Sequence, residues 1–156
     1  MNEHELLIET SPFMPPARAL DALENADAER RPPGAPHSIA EVVAHMTFWQ
    51  EWFGARAQGS GEPMASHAAE GWPAIAQGSW AAVRERFLSG LDRLAALGAH
   101  GSSALAPPIE YPPLARYSVH DALVHVAMHN AHHLGQVVLL RQQLGLWPPP
   151  SGSYTW

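Results

Sequence analysis

Histidine is the residue type whose number and spacing in this sequence suggest chemistry. The 156 residues include ten histidines, and four of them, His125, His129, His132 and His133, fall close together. His129 and His133 are four residues apart, so in a helix their imidazoles lie one turn apart, close enough to share one metal ion. Four other histidines are expected at the surface or in loops: His4, His37, His67 and His100.

A third histidine on another helix would complete a metal site. On a helical projection, His45 lies inside an apolar stripe. That stripe also contains Val42, Trp49, Trp52 and Phe53. His133 lies in the middle of the apolar face of its own segment and His129 at its edge, whereas His125 and His132 lie further out. The pattern leaves two interpretations open: three imidazoles that hold a catalytic type of metal ion, or histidines satisfied within an ordinary core.

The residue types that the chain lacks exclude several chemistries. Without cysteine there is no disulfide framework, thiolate nucleophile or cysteine-bound metal. Without lysine there is no Schiff base and no phosphate-binding lysine of the P-loop type. A transition metal would therefore be held by histidine and carboxylate groups. The net charge of −6 argues against a dedicated nucleic-acid binder.

Helical segments separated by proline- and glycine-containing breaks are expected to position these residues. Hydrophobic spacing and capping signals predict helices over about 16–29, 38–58, 79–97 and 118–144, with a further turn at about 3–9. Ser38 and Ser118 open two of them with capping-box spacing, and Gly98 and Gly145 are expected to end two. No stretch alternates as a strand would. We therefore predict an all-α four-helix bundle that forms a single domain over residues 1–156.

The apolar residues are also too dispersed for a membrane span. No run of about 18 apolar residues occurs, and the first residues are acidic where a signal peptide would be basic. We expect a cytoplasmic protein that does not enter the membrane.

Two stretches of the sequence resemble a known family. Residues 129–136, HNAHHLGQ, closely resemble the helix-four signature of the DinB-like superfamily, which also includes the YfiT-like metal-dependent hydrolases. The usual form of that signature is His-x-x-x-His followed by a Gly-Gln pair. Residues 37–49, HSIAEVVAHMTFW, resemble the helix-two signature of the same family. The resemblance extends over nearly the whole chain in the length and order of its elements.

The resemblance implies a fold, a ligand set and a range of activities. The fold would be an up-down-down-up four-helix bundle, commonly a homodimer. The metal ligands would be His45, His129 and His133, while His132 occupies a position that is often Tyr in relatives. Some members transfer low-molecular-weight thiols or isomerise substrates with a thiol cofactor, and many have no known reaction. The family name reflects induction by DNA damage, which suggests a stress response rather than DNA binding.

Three functional hypotheses follow from these observations. In the first, a divalent ion, zinc or nickel, is held by three neutral imidazoles and activates a water or a low-molecular-weight thiol against a small electrophilic substrate. The substrate pocket would be lined by Trp49 and Trp52, and Gln136 and Glu41 could orient the ligands, although Glu41 also fits a purely capping role. The second hypothesis is a non-catalytic metal-binding or stress-response bundle. The third is a helical interaction protein with incidental histidines.

Overall fold

Helices joined by loops make up the protein. The structure is a computed structural model that describes residues 2, 4–9 and 14–153. Its α-helices are α1 (Pro16–Ala19), α2 (Asn25–Glu29), α3 (Ile39–Ala57), α4 (Trp80–Ala96) and α5 (Val119–Gln143). A π-helical turn covers Glu5–Glu9, and 3₁₀ turns cover Ala68–Gly71, Leu97–His100 and Pro112–Leu114. Within the described ranges there is no strand, and the predicted all-α class is confirmed.

The two helices that carry the candidate histidines begin as the sequence predicts. Ser38 and Glu41 form a reciprocal capping box at the start of α3, and Ser118 and Asp121 form the same arrangement at the start of α5. Gly145 follows α5 with a φ of +72°, a conformation that favours glycine. α4 ends at Ala96, directly before its C-cap Leu97 and Gly98, as the sequence predicts, and the chain continues through Gly98 as a 3₁₀ turn.

The first predicted helix, over 16–29, is interrupted in the structure. α1 ends at Ala19 and α2 begins at Asn25, and Ala22 between them has a φ of +52°. The interruption frees carbonyl groups that side chains from other helices bind. The guanidinium of Arg141 donates to the Ala19 and Asp21 carbonyls, and the Trp80 indole N–H donates to the Leu23 carbonyl. A pattern of apolar residues carries no information about these long-range donors.

The long helix α3 packs against both α4 and α5 and is the centre of the bundle. The short N-terminal helices complete it: the Glu5–Glu9 turn contacts α4 and α5, α1 contacts α5, and α2 contacts α3 and α4. They take the place of the first long helix of the predicted bundle. Because α3 and α5 lie side by side, residues at the middle of one face residues at the middle of the other. None of the helices in the described part of the chain has the length and hydropathy to cross a membrane.

Candidate metal centre

Three histidine rings meet where α3 packs on α5. One ring nitrogen from each of His45, His129 and His133 lies within 4.8 Å of the others. The Nε2 atoms of His45 and His129 are 3.2 Å apart, and the rings of His129 and His133 have centroids 4.4 Å apart. His45 and His133 are buried and His129 is half-buried. The structure therefore brings together the three histidines that the sequence nominated.

The hydrogen bonds of two of these rings determine which nitrogen is free. Nδ1 of His45 lies 2.6 Å from the Gly71 carbonyl oxygen, and Nδ1 of His133 lies 2.8 Å from Oε1 of Gln136. Each oxygen is assigned as an acceptor, so each Nδ1 carries the hydrogen of the neutral ring. Nε2 of both rings then presents a lone pair, which is the form that binds a metal ion.

His129 is the ring whose hydrogen bonding is incomplete. Its Nε2 faces Nε2 of His45, and its buried Nδ1 has no hydrogen-bond partner among the described residues. If His129 Nε2 carries the hydrogen, Nδ1 is left unsatisfied, and if it does not, two lone pairs face each other. A cation bound by both Nε2 atoms would remove the repulsion between the two facing lone pairs. Two nitrogens bound to one tetrahedral zinc at about 2.0–2.1 Å would be roughly 3.3 Å apart, close to the observed separation, so these residues fit a metal ion.

Electrostatics keep the three imidazoles neutral. Burial lowers the pKa of His45 and of His133 below the ordinary histidine value. The pKa of His129 is lowered to about 3, first by burial and then by the positive charge that His133, His45 and His125 would carry. Neutral imidazoles are the ligand form, and the lowered pKa values favour that form in all three rings.

The family of the protein follows from a comparison with known families. A family model for the DinB superfamily matches residues 17–137, which is most of the chain and includes all three clustered histidines. The chain belongs to the DinB superfamily. Comparisons with curated proteins and with solved structures give no match. The resemblance noted in the sequence is thereby confirmed, and so is the helical-bundle fold that it implies.

In this DinB superfamily member, one loop also contributes to the centre. The loop between α3 and α4 places the Gly71 carbonyl on His45 and the Trp72 indole flat against its ring, with centroids 3.9 Å apart. A Cβ at position 71 would lie 2.9 Å from the Trp49 indole nitrogen, so glycine permits this close approach. His37 lies in the loop before α3, in accord with its predicted surface or loop position, and it is half-buried because it stacks on the Trp72 indole at 3.7 Å.

Sequence reasoning missed Gly71 and Trp72, because they lie in a glycine- and proline-containing loop without helical periodicity. The only available signal was the presence of an aromatic residue in an otherwise polar stretch. Gln136, by contrast, was expected to orient a ligand, and it contacts His133 at the i, i+3 spacing of a helix.

Other nominated residues of the DinB superfamily member lie at the margins of the centre or away from it. Glu41 accepts a hydrogen bond from the Ser38 backbone and pairs with Arg31, so it acts as a capping acid and does not orient a ligand. Its pKa is lowered to about 2, chiefly by the hydrogen bond from Arg31. Nδ1 of His125 lies 3.1 Å from the Tyr117 hydroxyl. His132 is exposed and lies against His133 and Gln136.

Two cavities flank the three histidines. A cavity of about 200 Å³ reaches His129 and is lined by Trp49 and Phe53, while one of about 390 Å³ is lined by Trp72 and Gln136. The predicted pocket therefore includes Trp49. Trp52 does not line either cavity, because its indole is turned to donate to the Pro63 carbonyl.

Proposed function

We propose that this DinB superfamily protein binds one divalent metal ion through Nε2 of His45, His129 and His133 and works as a metal-dependent enzyme of hydrolase or thiol-transferase type. The observation that carries the proposal is the 3.2 Å approach of two Nε2 atoms, one of which has its lone pair fixed by the Gly71 carbonyl. Without a cation between the two atoms, either their lone pairs face each other or His129 donates to His45 and leaves its own buried Nδ1 as an acceptor without a partner, and each alternative costs free energy.

Zinc and nickel are the ions we propose. The cluster in the described residues consists of imidazoles, with no thiolate and no carboxylate, and imidazole suits the late first-row metals. When bound, such an ion would supply a Lewis acid that favours deprotonation of a water or a thiol at its open positions.

The protein's own residues supply orientation and shielding. The Gly71 carbonyl and the Gln136 side chain hold two of the rings in the ligand tautomer, which raises ligand basicity and fixes ring direction. Trp72 covers one face of His45 and excludes water from it. The larger cavity, lined in part by the polar side chains of His37, Gln136 and Gln143, is where we place a low-molecular-weight thiol or another polar co-substrate.

A non-catalytic metal-binding or stress-response bundle is the second candidate. It is favoured by the absence of a carboxylate from the cluster in the described residues, because a hydrolytic site commonly places an acidic general base next to its metal. Assays with and without zinc or nickel separate the two candidates. Thiol transfer to a chlorodinitrobenzene or hydrolysis of para-nitrophenyl acetate that depends on the metal supports the enzyme, and a metal-loaded protein inert in both assays supports the binding protein.

Metal content is the direct test of the site. Tag-free protein incubated with zinc or nickel and then desalted is expected to retain about one ion per chain by mass spectrometry of the metal. His129→Ala is expected to lose it, and His132→Ala, which removes the adjacent exposed imidazole, is the matched control. Less than about 0.1 ion per chain in the parent protein, or equal loss in both variants, would contradict the proposal.

We also propose that the protein is a cytoplasmic homodimer that acts on a small molecule and does not bind nucleic acid. Support for the dimer comes from α5, which has no charged residue between Asp121 and Arg141 and exposes Met128 by 70% and Leu139 by 52%. A shift from dimer to monomer in Met128→Glu, measured by light scattering during gel filtration, is the expected result. A monomeric parent protein would contradict it.

A further inference from the structure

The smaller cavity beside the histidine cluster has a largely apolar wall that includes one of the clustered histidines. It is about 200 Å³ in volume, and the side chain of His129 forms part of its surface. Helices α3 and α5 supply one side of it, and two loops supply the rest. Its apolar lining consists of Trp49, Phe53, Met64, Tyr111, Leu114 and Val126.

Among the described residues, no charged side chain lines this cavity. Its polar side-chain groups are the imidazoles of His125 and His129 and the half-exposed Tyr111. The cavity that lies between α3 and α4, by contrast, is lined by Glu51 and Arg86. A cationic ligand group would lose its hydration in the cavity beside His129 without gaining an ionic partner, and that loss is costly.

His125 is held in place as a neutral group in the cavity wall. The Tyr117 hydroxyl lies 3.1 Å from its Nδ1, and its ring packs on Phe53 with centroids 4.6 Å apart. Burial lowers the pKa of His125, so its ring is uncharged at neutral pH. With Nδ1 taken by Tyr117, His125 can form one further hydrogen bond through Nε2, which suits a ligand with a single polar substituent.

The size of the cavity limits its occupant. A cavity of about 150 Å³ lined by aliphatic and aromatic side chains is large enough for benzene. The cavity here is somewhat larger and is open to solvent beside Tyr111, which is 49% exposed. A substituted benzene ring or a branched aliphatic group of similar size matches it.

We infer that this cavity binds the uncharged aromatic or branched aliphatic part of a small substrate and points its one polar substituent at His125 and His129. The inference rests on the proposed function in one respect, since it takes the metal centre to be where that substituent reacts. It assigns the substrate class: compact, largely apolar and without a positive charge. Amines of the same size are excluded.

Two probes with the same ring test the class. Benzyl alcohol and benzylammonium are titrated into the full-length protein as purified, and binding is followed by calorimetry and by shifts of the tryptophan indole N–H resonances. Benzyl alcohol is expected to bind saturably with a Kd on the order of 1 mM. Benzylammonium is expected to bind at least about tenfold more weakly.

A variant pair tests the location. Met64→Trp adds bulk from a half-buried loop position in the cavity wall, and it is expected to weaken benzyl alcohol binding at least about tenfold by filling the space. Ile75→Trp adds the same side chain at a half-buried loop position in the wall of the cavity between α3 and α4, and it is expected to leave the affinity for benzyl alcohol unchanged. Unfolding midpoints of both variants establish that they are folded.

The inference is overturned if benzylammonium binds as tightly as benzyl alcohol, or if a folded Met64→Trp binds benzyl alcohol as the parent protein does. Metal content is measured on the same preparations. A protein that holds no metal but prefers benzyl alcohol contradicts the proposed function alone, and a protein that holds metal but prefers benzylammonium contradicts this inference alone.

Discussion

The buried arginines and the clustered histidines of this protein differ in their hydrogen-bond partners. The guanidinium groups donate to backbone carbonyls, whereas the ring nitrogens of the histidines lie partly against one another. Arg141, which is 1% exposed, donates to the carbonyls of Ala19, Asp21 and Leu146. Arg56, which is 3% exposed, donates in the same way to three loop carbonyls, those of Glu62, Pro107 and Pro108. In the histidine cluster the nitrogens face each other, and Nδ1 of His129 has no partner in the part of the chain that the structure describes.

The difference separates polar groups that hold the fold together from polar groups that are available to a ligand. The arginines lie in the last turns of α3 and α5, where they fasten loops and the N-terminal region to the helix ends. The histidines lie further inside the same two helices, and the Nε2 atoms of His45 and His129 have only each other as partners among the described residues. Substitutions at the arginines should therefore change stability, and substitutions at the histidines should change metal affinity.

Replacement of Arg141 is expected to have the largest effect. Arg141→Met fills the space but leaves three carbonyls without their donor, and we expect the free energy of unfolding to fall by about 3 kcal/mol. Chemical denaturation measures this loss. Metal affinity of the folded fraction should not change.

Arg93→Met is the control for this variant, because Arg93 is exposed on α4 and donates to the Ser89 hydroxyl. Its effect on unfolding should stay below about 0.5 kcal/mol. Equal destabilisation by both substitutions would contradict the claim that the buried arginine stabilises the fold through its backbone contacts.

Replacement of His129 should produce the opposite result. His129→Leu removes one of three proposed ligands, and zinc affinity measured by competition with a chelator is expected to fall at least about 100-fold, or about 2.8 kcal/mol. The metal-free protein should be as stable as its parent or more stable, because a poorly satisfied buried imidazole is replaced by an apolar group. Loss of more than about 2 kcal/mol of metal-free stability would identify His129 as a structural residue instead.

How far the sequence predicts this arrangement depends on the range of the interactions involved. His45, His129 and His133 were found because each lies on the inner face of a long regular helix, where the repeat of 3.6 residues determines which way a side chain faces. Gly71 and Trp72 were missed because a loop brings them to His45, and loop conformation has no such repeat. The break between α1 and α2 was missed for the same reason, since its carbonyls bind Arg141 and Trp80, which are distant in the sequence.

Acid should destabilise the metal-free protein through the histidine cluster. The pKa of His129 is about 3 in the folded protein, against about 6.5 in an unfolded chain. Below pH 6.5 the unfolded chain takes up a proton that the folded protein does not, so stability falls as pH decreases. Between pH 7.5 and pH 5 we expect the free energy of unfolding to fall by about 1–2 kcal/mol.

Urea denaturation of the metal-free protein at the two pH values measures this change, and His129→Leu should show a smaller one. Carboxylates with lowered pKa values, such as Glu41, contribute little above pH 5 because they remain ionised in both states. A protein that is equally stable at pH 7.5 and pH 5 would show that its clustered histidines take up protons readily in the folded state.

Removal of the group that holds His133 should have a smaller effect. Gln136→Leu deletes the oxygen that accepts the Nδ1 hydrogen of His133, and the freed ring can turn or change tautomer. We expect zinc affinity to fall about tenfold, as is common when a partner of a metal ligand is lost. Gln143→Leu, on the wall of the same cavity, should leave the affinity unchanged. Equal zinc affinity in the two variants would mean that the ring of His133 is held by packing alone.

Glu41 should show the smallest effect on the metal centre, because its contacts are with Ser38 and Arg31. Glu41→Gln keeps an acceptor for the Ser38 backbone N–H but loses the ion pair, so we expect about 1 kcal/mol less stability at pH 7. The carboxylate's contribution is present above its unfolded pKa and is lost as pH falls toward its folded value of about 2, so the gap between variant and parent should narrow in acid. Zinc affinity should stay within about twofold of the parent value. A tenfold loss of affinity would mean that the capping box positions His45 through the first turn of α3, and the division between structural and ligand-binding polar groups would then fail at this helix.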